Sequence, residues 1–327
     1  MRYLIWIVAV PLAVTVLIGA VLERKLPFTS SPRWVITFSP AHARYLGLEP
    51  GELFSNIIRD FSPSHLRLQA NWNEIEPAPG EFTFGELDGY IAAARAAGAT
   101  VTLAVGRKLP RWPECHDPKW LAELTPDEMT ERQFKMVEAV VEHYRVEPAI
   151  TRWQLENEPL FAYGTCLQPN THRLRQEIAF LRRLDPTRPI MLTDSGELSS
   201  WWETGRLADE QGVTFYRVTW NPVFGYFSYP WPAYYYRLKA ALISPFVKKT
   251  VVSELQLEPW APRGPLSLSL AEAQNSLSLE RFNDNIAVFR RTGFEEGFLW
   301  GVEWWYYAKD SLGEPAYWQT ARELFKE

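Results

Sequence analysis

From about residue 33 to its end the sequence alternates strand-like and helix-like segments, a pattern that few folds can accept. RWVITFS (33–39), HLRLQAN (65–71), TVTLAVG (100–106), AITRWQLEN (149–157), RPIMLTD (188–194), VTFYRVTW (213–220), KTVVSEL (249–255) and GFLWGVEWW (297–305) read as strands. Helices are expected between them, as in PGELFSNIIRDF, GELDGYIAAARAAG with Gly98 as its stop, ERQFKMVEAVVEHY with Phe134, Val137, Val140 and Val141 on one face, and HRLRQEIAFLRRL. A weaker helix is expected near WETGRLADEQG, then YYYRLKAALI, ERFNDNIAVFRRTG and AYWQTARELFKE. Eight such units close naturally into a (β/α)8 TIM barrel, expected here as one domain over residues 26–327. The rival, an open doubly wound sheet, carries a glycine-rich phosphate turn after its first strand, and ITFSPAHARYLG has none.

The chain is long enough for this, with 327 residues of which 46% are hydrophobic, and its net charge of -5 leaves no basic patch. No nucleic-acid partner is therefore expected. Residues 1–25 form a separate segment: no charge falls between Tyr3 and Leu22, enough to span a bilayer as a helix. It reads as an uncleaved membrane anchor in preference to a signal peptide cleaved near Gly19-Ala20, which would leave the protein secreted. Arg2 on one flank against Arg24 and Lys25 on the other barely sets an orientation, and the large domain is expected outside the cytoplasm. Cys115 and Cys166 fall in neighbouring loops, where a disulfide and two free thiols both remain open.

Catalytic groups of such barrels sit at the carboxyl ends of strands, and the long loops here follow strands two, three, four, six and seven. Glu158 ends strand four in TRWQLENEPL and Glu254 ends strand seven in VVSEL, so closure brings two carboxylates together across the mouth. Retaining glycoside hydrolysis needs such a pair about 5–5.5 Å apart, one attacking the anomeric carbon and one protonated beside the leaving oxygen. Each glutamate has a rival, Glu156 beside Asn157 and Glu258 in QLEPW, which read as supporting or rim groups. Sugar-binding candidates on the loops are Trp72, Glu76, Trp112, Glu114 and His116, with Glu197 after strand five. The ordinary reading of each is a loop pin. The 15 Trp, 14 Tyr and 18 Phe supply flat faces for sugars, although core packing accounts for many of them. Five scattered histidines, no HExxH, no P-loop and no G-x-S-x-G elbow make a metal or other cofactor unnecessary.

The segments ENEP and VVSEL resemble the acid/base and nucleophile segments of clan A glycoside hydrolases, which include families 5 and 42. LRLQANWNEIEPAPGEFTFGELDGYIAAARAAG is similar to family 42 in particular. The resemblance implies a retaining β-glycosidase acting on oligo- or polysaccharide, with Glu158 as acid/base, Glu254 as nucleophile and Asn157 donating to the sugar 2-hydroxyl. It further implies that Arg67 holds Glu254 ionised and that either Trp300 or Trp304 floors the sugar site. On strand six, where the clan often places a His or Tyr beside the nucleophile, Tyr216, Trp220 and Tyr226 all remain candidates. A carbohydrate-binding barrel without activity is the alternative function, and transglycosylation a third.

Overall fold

The computed structural model describes residues 31–327 apart from 165–167, 261, 263, 265 and 267. The expected anchor and Cys166 lie outside the described residues. Among those described, no helix is long and apolar enough to cross a membrane.

The ten strands are β1 (Arg33–Thr37), β2 (His65–Gln69), β3 (Thr100–Val105), β4 (Ile150–Leu155), β5 (Ile190–Asp194), β6 (Glu210–Phe215), β7 (Val218–Asn221), β8 (Gly225–Ser228), β9 (Lys249–Gln256) and β10 (Glu296–Trp300). Eight of them form a closed barrel in the order β1-β10-β9-β6-β5-β4-β3-β2, and all its pairings are parallel. Helices follow on the outside, among them Pro50–Phe61, Gly85–Ala96, Pro126–Tyr144, Thr171–Leu184, Ala233–Ile243 and Leu279–Thr292. The longest, Pro126–Tyr144, starts from a reciprocal cap in which Thr125 and Glu128 each bond the other's backbone N–H.

Two expected strands end early. The sixth stops at Phe215, because the N–H groups that follow leave the ladder for side chains: Tyr216 donates to Glu197 Oε1 at 2.9 Å and Arg217 to Gln256 Oε1 at 2.8 Å. The remainder becomes the antiparallel hairpin β7-β8 over the mouth side of β6. The eighth stops at Trp300, where Gly301 takes φ 139° and the chain turns into the helix Val302–Ser311. A side chain at Gly301 would lie 2.8 Å from Glu258 Cβ, so this turn needs glycine.

Inside the ring, Val35, Met191, Val251 and Phe298 form a small apolar plug separate from the main core beneath the helices. Charged groups lie on both sides of it. The guanidinium groups of Arg67 and Arg152 stand 5.6 and 5.8 Å from the Phe298 ring, the first on the side of the strands' carboxyl ends and the second on the opposite side.

Candidate active site

Two backbone irregularities aim the paired glutamates inward. Val251 is part of the inner plug, so strict alternation would turn Glu254 outward. The register of β9 against β6 slips between Val213↔Val252 and Thr214↔Glu254, and this bulge brings Glu254 round to the interior. On β4 the device is different. Glu156 and Glu158 both adopt positive φ, 57° and 43°, a conformation that costs a non-glycine residue about 1–3 kcal/mol and must be held by its surroundings.

What holds it is visible bond by bond. The Glu156 carboxylate accepts the backbone N–H of Arg107 at 2.9 Å and of Lys108 at 2.6 Å, and the Gln133 amide at 2.9 Å. Glu158 donates its N–H to Thr193 Oγ1 at 2.7 Å, and its carbonyl accepts from Lys108 Nζ at 3.0 Å. Gly106, at φ 135°, leaves the space this requires: a Cβ there would lie 2.4 Å from Glu156 Oε1. Glu156 therefore braces the loop and does not face the reaction space.

Between the two strained residues, Asn157 has its amide orientation fixed. Its Oδ1 accepts from Gln154 Nε2 and from Thr193 Oγ1, both at 3.2 Å, which leaves the NH2 group pointing to Glu254. Glu254 itself accepts the Tyr216 hydroxyl at 2.9 Å and lies 3.8 Å from Arg67 Nη2. Arg67 is fully buried and is steered by Thr37 Oγ1 and Gln154 Oε1, each 3.1 Å away.

This arrangement splits the two acids. Burial pushes the Glu158 carboxyl well above the usual carboxylate range, and the charges of Glu254 and then Glu114 push it further. Burial also raises Glu254, but Arg67, the Tyr216 hydroxyl, Arg111 and Asn157 all act in the opposite direction. The shared proton therefore belongs on Glu158 and the negative charge on Glu254. That is the assignment double displacement needs.

The remaining sequence candidates separate clearly. Tyr216 is the strand-six partner of Glu254, whereas Trp220 sits in β7 opposite Tyr226. Trp300 ends β10 with the Arg67 and Arg111 guanidinium groups 5.4 and 4.0 Å from its ring, so it lies at the site. Trp304 does not, because its helix buries it against Tyr317 at a ring separation of 4.7 Å. Trp72 is also corrected to a structural place: fully buried, it donates to Glu76 Oε2 at 2.8 Å and packs edge-on to Trp120. His116 is a loop pin too, its buried ring bonded to the backbone at Pro110 and Arg111. Trp112 stands at the rim, 65% exposed and 6.0 Å from Tyr163. Glu197 accepts the Tyr236 hydroxyl at 2.8 Å and the Thr214 hydroxyl at 2.9 Å, a support under β6.

Sequence reasoning passed over several groups that the structure brings to the mouth. Lys108 bonds the carbonyls of Glu158 and Phe161 and lies 3.1 Å from Glu114, whose carboxyl burial pushes up to about 7. Tyr163 lies within the electrostatic reach of Glu158 and Glu254 and contacts Trp260, which in turn meets Tyr216 edge-on at 5.3 Å. Trp112, Tyr163 and Trp260 thus form an aromatic chain beside the pair. A small cavity of about 20 Å³ is lined by Arg107, Lys108, Glu156, Asn170 and Arg173 among others, and neither Glu158 nor Glu254 lines it. Among the described residues no group of His, Cys, Asp and Glu has the arrangement of a metal site.

The family model described as β-galactosidase, glycoside hydrolase family 42, matches residues 56–133, which span β2 and β3 and stop short of both glutamates. Among solved structures, xylanase XynB from Paenibacillus barcinonensis is 16% identical with a TM-score of 0.57, over 83% of this chain and 84% of that one. The cold-adapted β-galactosidase from Rahnella sp. R3 is 13% identical with a TM-score of 0.60, over 92% of this chain and 57% of that one. A GH5_18 protein from Bifidobacterium longum subsp. infantis is 14% identical with a TM-score of 0.58, over 82% and 69%. No curated protein matches in sequence. The chain has the (β/α)8 fold of these proteins, and it resembles the clan A barrel glycoside hydrolases.

Proposed function

We propose that the protein is a retaining β-glycoside hydrolase that works by double displacement. The observation that carries this reading is the asymmetry of the buried pair: Glu254 has Arg67, Tyr216 and Asn157 to support its charge, while Glu158 faces Glu254 and Glu114. In the first step a Glu254 oxygen bonds the anomeric carbon, the glycosidic C–O bond breaks, and the proton of Glu158 passes to the leaving oxygen. In the second, water attacks the same carbon, gives its proton to Glu158 and releases Glu254. A sugar acceptor in place of water would make the same site a transglycosylase.

The reading is tested with 2-fluoro glycosides bearing good leaving groups, followed by peptide mass mapping. The expected result is a covalent glycosyl adduct on Glu254, absent in Glu254→Gln. No adduct and no turnover across a panel of β-glycosides would replace the enzyme with a carbohydrate-binding barrel.

We further propose that residues 1–25 anchor the barrel outside the cytoplasm. Support comes from the uncharged run Tyr3 to Leu22 and from the disulfide-bonded state of Cys115, which suits an oxidising compartment. A carboxyl-terminal alkaline phosphatase fusion should be active and a fluorescent-protein fusion dark; the reverse pattern overturns the placement.

A further inference from the structure

Arg111 crosses the mouth of the barrel. It belongs to the loop after β3, yet its guanidinium bonds Glu258, after β9, and Glu303 Oε2, after β10, the latter at 2.5 Å. In the barrel order β3 and β9 stand four strands apart by either route, so the bond to Glu258 spans a diameter. The residue is only 5% exposed, its backbone takes φ 82°, and its guanidinium lies 4.0 Å over the Trp300 ring. Glu303 is braced in turn, its other oxygen accepting the Ser39 N–H at 2.6 Å after β1. A charged side chain held by two carboxylates, an aromatic face and a strained backbone forms a fixed wall.

The side of the site that this wall closes follows from the chemistry, and here the inference rests on the function proposed above. Glu158 protonates the leaving oxygen, so the departing part of the substrate lies towards Glu158. The sugar under attack lies over Glu254, and Arg111 shares the Trp300 ring with Arg67, at 4.0 and 5.4 Å, Arg67 itself standing 3.8 Å from Glu254, whereas the cation bonded at Glu158 is Lys108. Arg111 therefore stands behind the attacked sugar. Among the described residues, both ends of the Gln69 amide, at the carboxyl end of β2, and Glu258 Oε2 and Arg111 Nε in the loops at the same end of the barrel are buried without a hydrogen-bond partner. They are suited to the outer hydroxyls of one sugar ring.

We propose that Arg111 makes the glycone site a blind pocket for a single sugar, so that the protein removes terminal non-reducing residues and does not cut within a chain. The test uses p-nitrophenyl β-monosides of glucose, galactose, mannose and xylose with the matching p-nitrophenyl β-biosides, and analysis of the first sugar released. Wild-type protein should free nitrophenol directly from a monoside and release only monosaccharide from the bioside. Arg111→Ala should raise release of intact disaccharide, relative to monoside turnover, by about 10-fold or more. Wild-type release of intact disaccharide at a rate comparable to monoside turnover overturns the wall while leaving the hydrolase standing. Absence of turnover on every probe, with no adduct on Glu254, removes both. The wild-type products decide the matter even if Arg111→Ala fails to fold.

Discussion

At the amino ends of the strands Arg152 meets Glu210 at 2.6 Å and Glu296 at 3.0 Å, with Arg33 and Lys249 also on Glu296; at the carboxyl ends Arg67 stands 3.8 Å from Glu254. Below the plug, three cations serve the two carboxylates Glu210 and Glu296. Above it, Arg67, Lys108 and Arg111 are shared by five, Glu114, Glu158, Glu254, Glu258 and Glu303. The titration behaviour follows the balance. Burial tends to raise Glu296, but Arg152, Lys249 and Arg33 overcome it and hold that carboxyl at about 2. Burial raises Glu158 and the neighbouring carboxylates raise it further. The same barrel thus uses buried charge for stability at one end and keeps a proton available at the other.

The largest effects that can break this contrast come from removing the upper carboxylates. Glu254→Gln should lower turnover by about 10⁴-fold or more, and Glu158→Gln by about 10²–10⁴-fold, measured on aryl β-glycosides. Both variants should melt at or above the wild-type temperature, because burial raises both carboxyls, so that holding either one ionised costs stability. A marked fall in melting temperature in either would mean that the upper end is as well paired as the lower.

At the lower end the expectation reverses. Glu296→Gln takes a carboxylate from Arg33, Arg152 and Lys249, of which the last two keep Glu210, and should cost about 3 kcal/mol in a denaturant melt, with the activity of the folded protein unchanged. The pH dependence carries the same sign. Because the folded Glu296 carboxyl lies at about 2, below its ordinary 4.5, its contribution is fully present above about 4.5 and is lost as pH falls towards 2. Wild type should lose stability over that window more steeply than Glu296→Gln. Parallel curves would remove Glu296 from the account.

The contrast was only half legible in the sequence. Period and alternation locate all eight barrel strands, since strands such as Val101–Val105 and Ile190–Asp194 are apolar runs between helices of clear periodicity. The glutamates could be named from ENEP and VVSEL, but their facing depends on the β9 bulge and on the positive φ of Glu156 and Glu158, which no periodicity encodes. Arg111 and Glu258 lay in loops whose partners are 147 positions apart in the chain. Tryptophans misled for a related reason. Trp72 and Trp304 look like sugar platforms in sequence, yet burial against Trp120 and Tyr317 depends on how loops and helices return to the barrel. Gly106 was the available signal for the β4 turn, as a glycine just past a buried strand where Glu156 comes close.

The smallest effect tests the finest part of the contrast, the single hydroxyl that supports Glu254. Tyr216 donates to a carboxylate at 2.9 Å, and hydrogen bonds to charged groups contribute about 1.5–3 kcal/mol. Tyr216→Phe should therefore reduce kcat/KM by about 10–100-fold without disturbing the fold. Its more telling signature lies in the pH profile. The hydroxyl stabilises only the ionised form of Glu254, so its loss raises that carboxyl and moves the acidic limb to higher pH. The alkaline limb, set by loss of the Glu158 proton, should follow upward by less, because the two carboxyls share one field and Glu254 remains its source. An alkaline limb that moves while the acidic limb stays fixed would mean that the proton resides on Glu254, and the roles of the two glutamates would exchange.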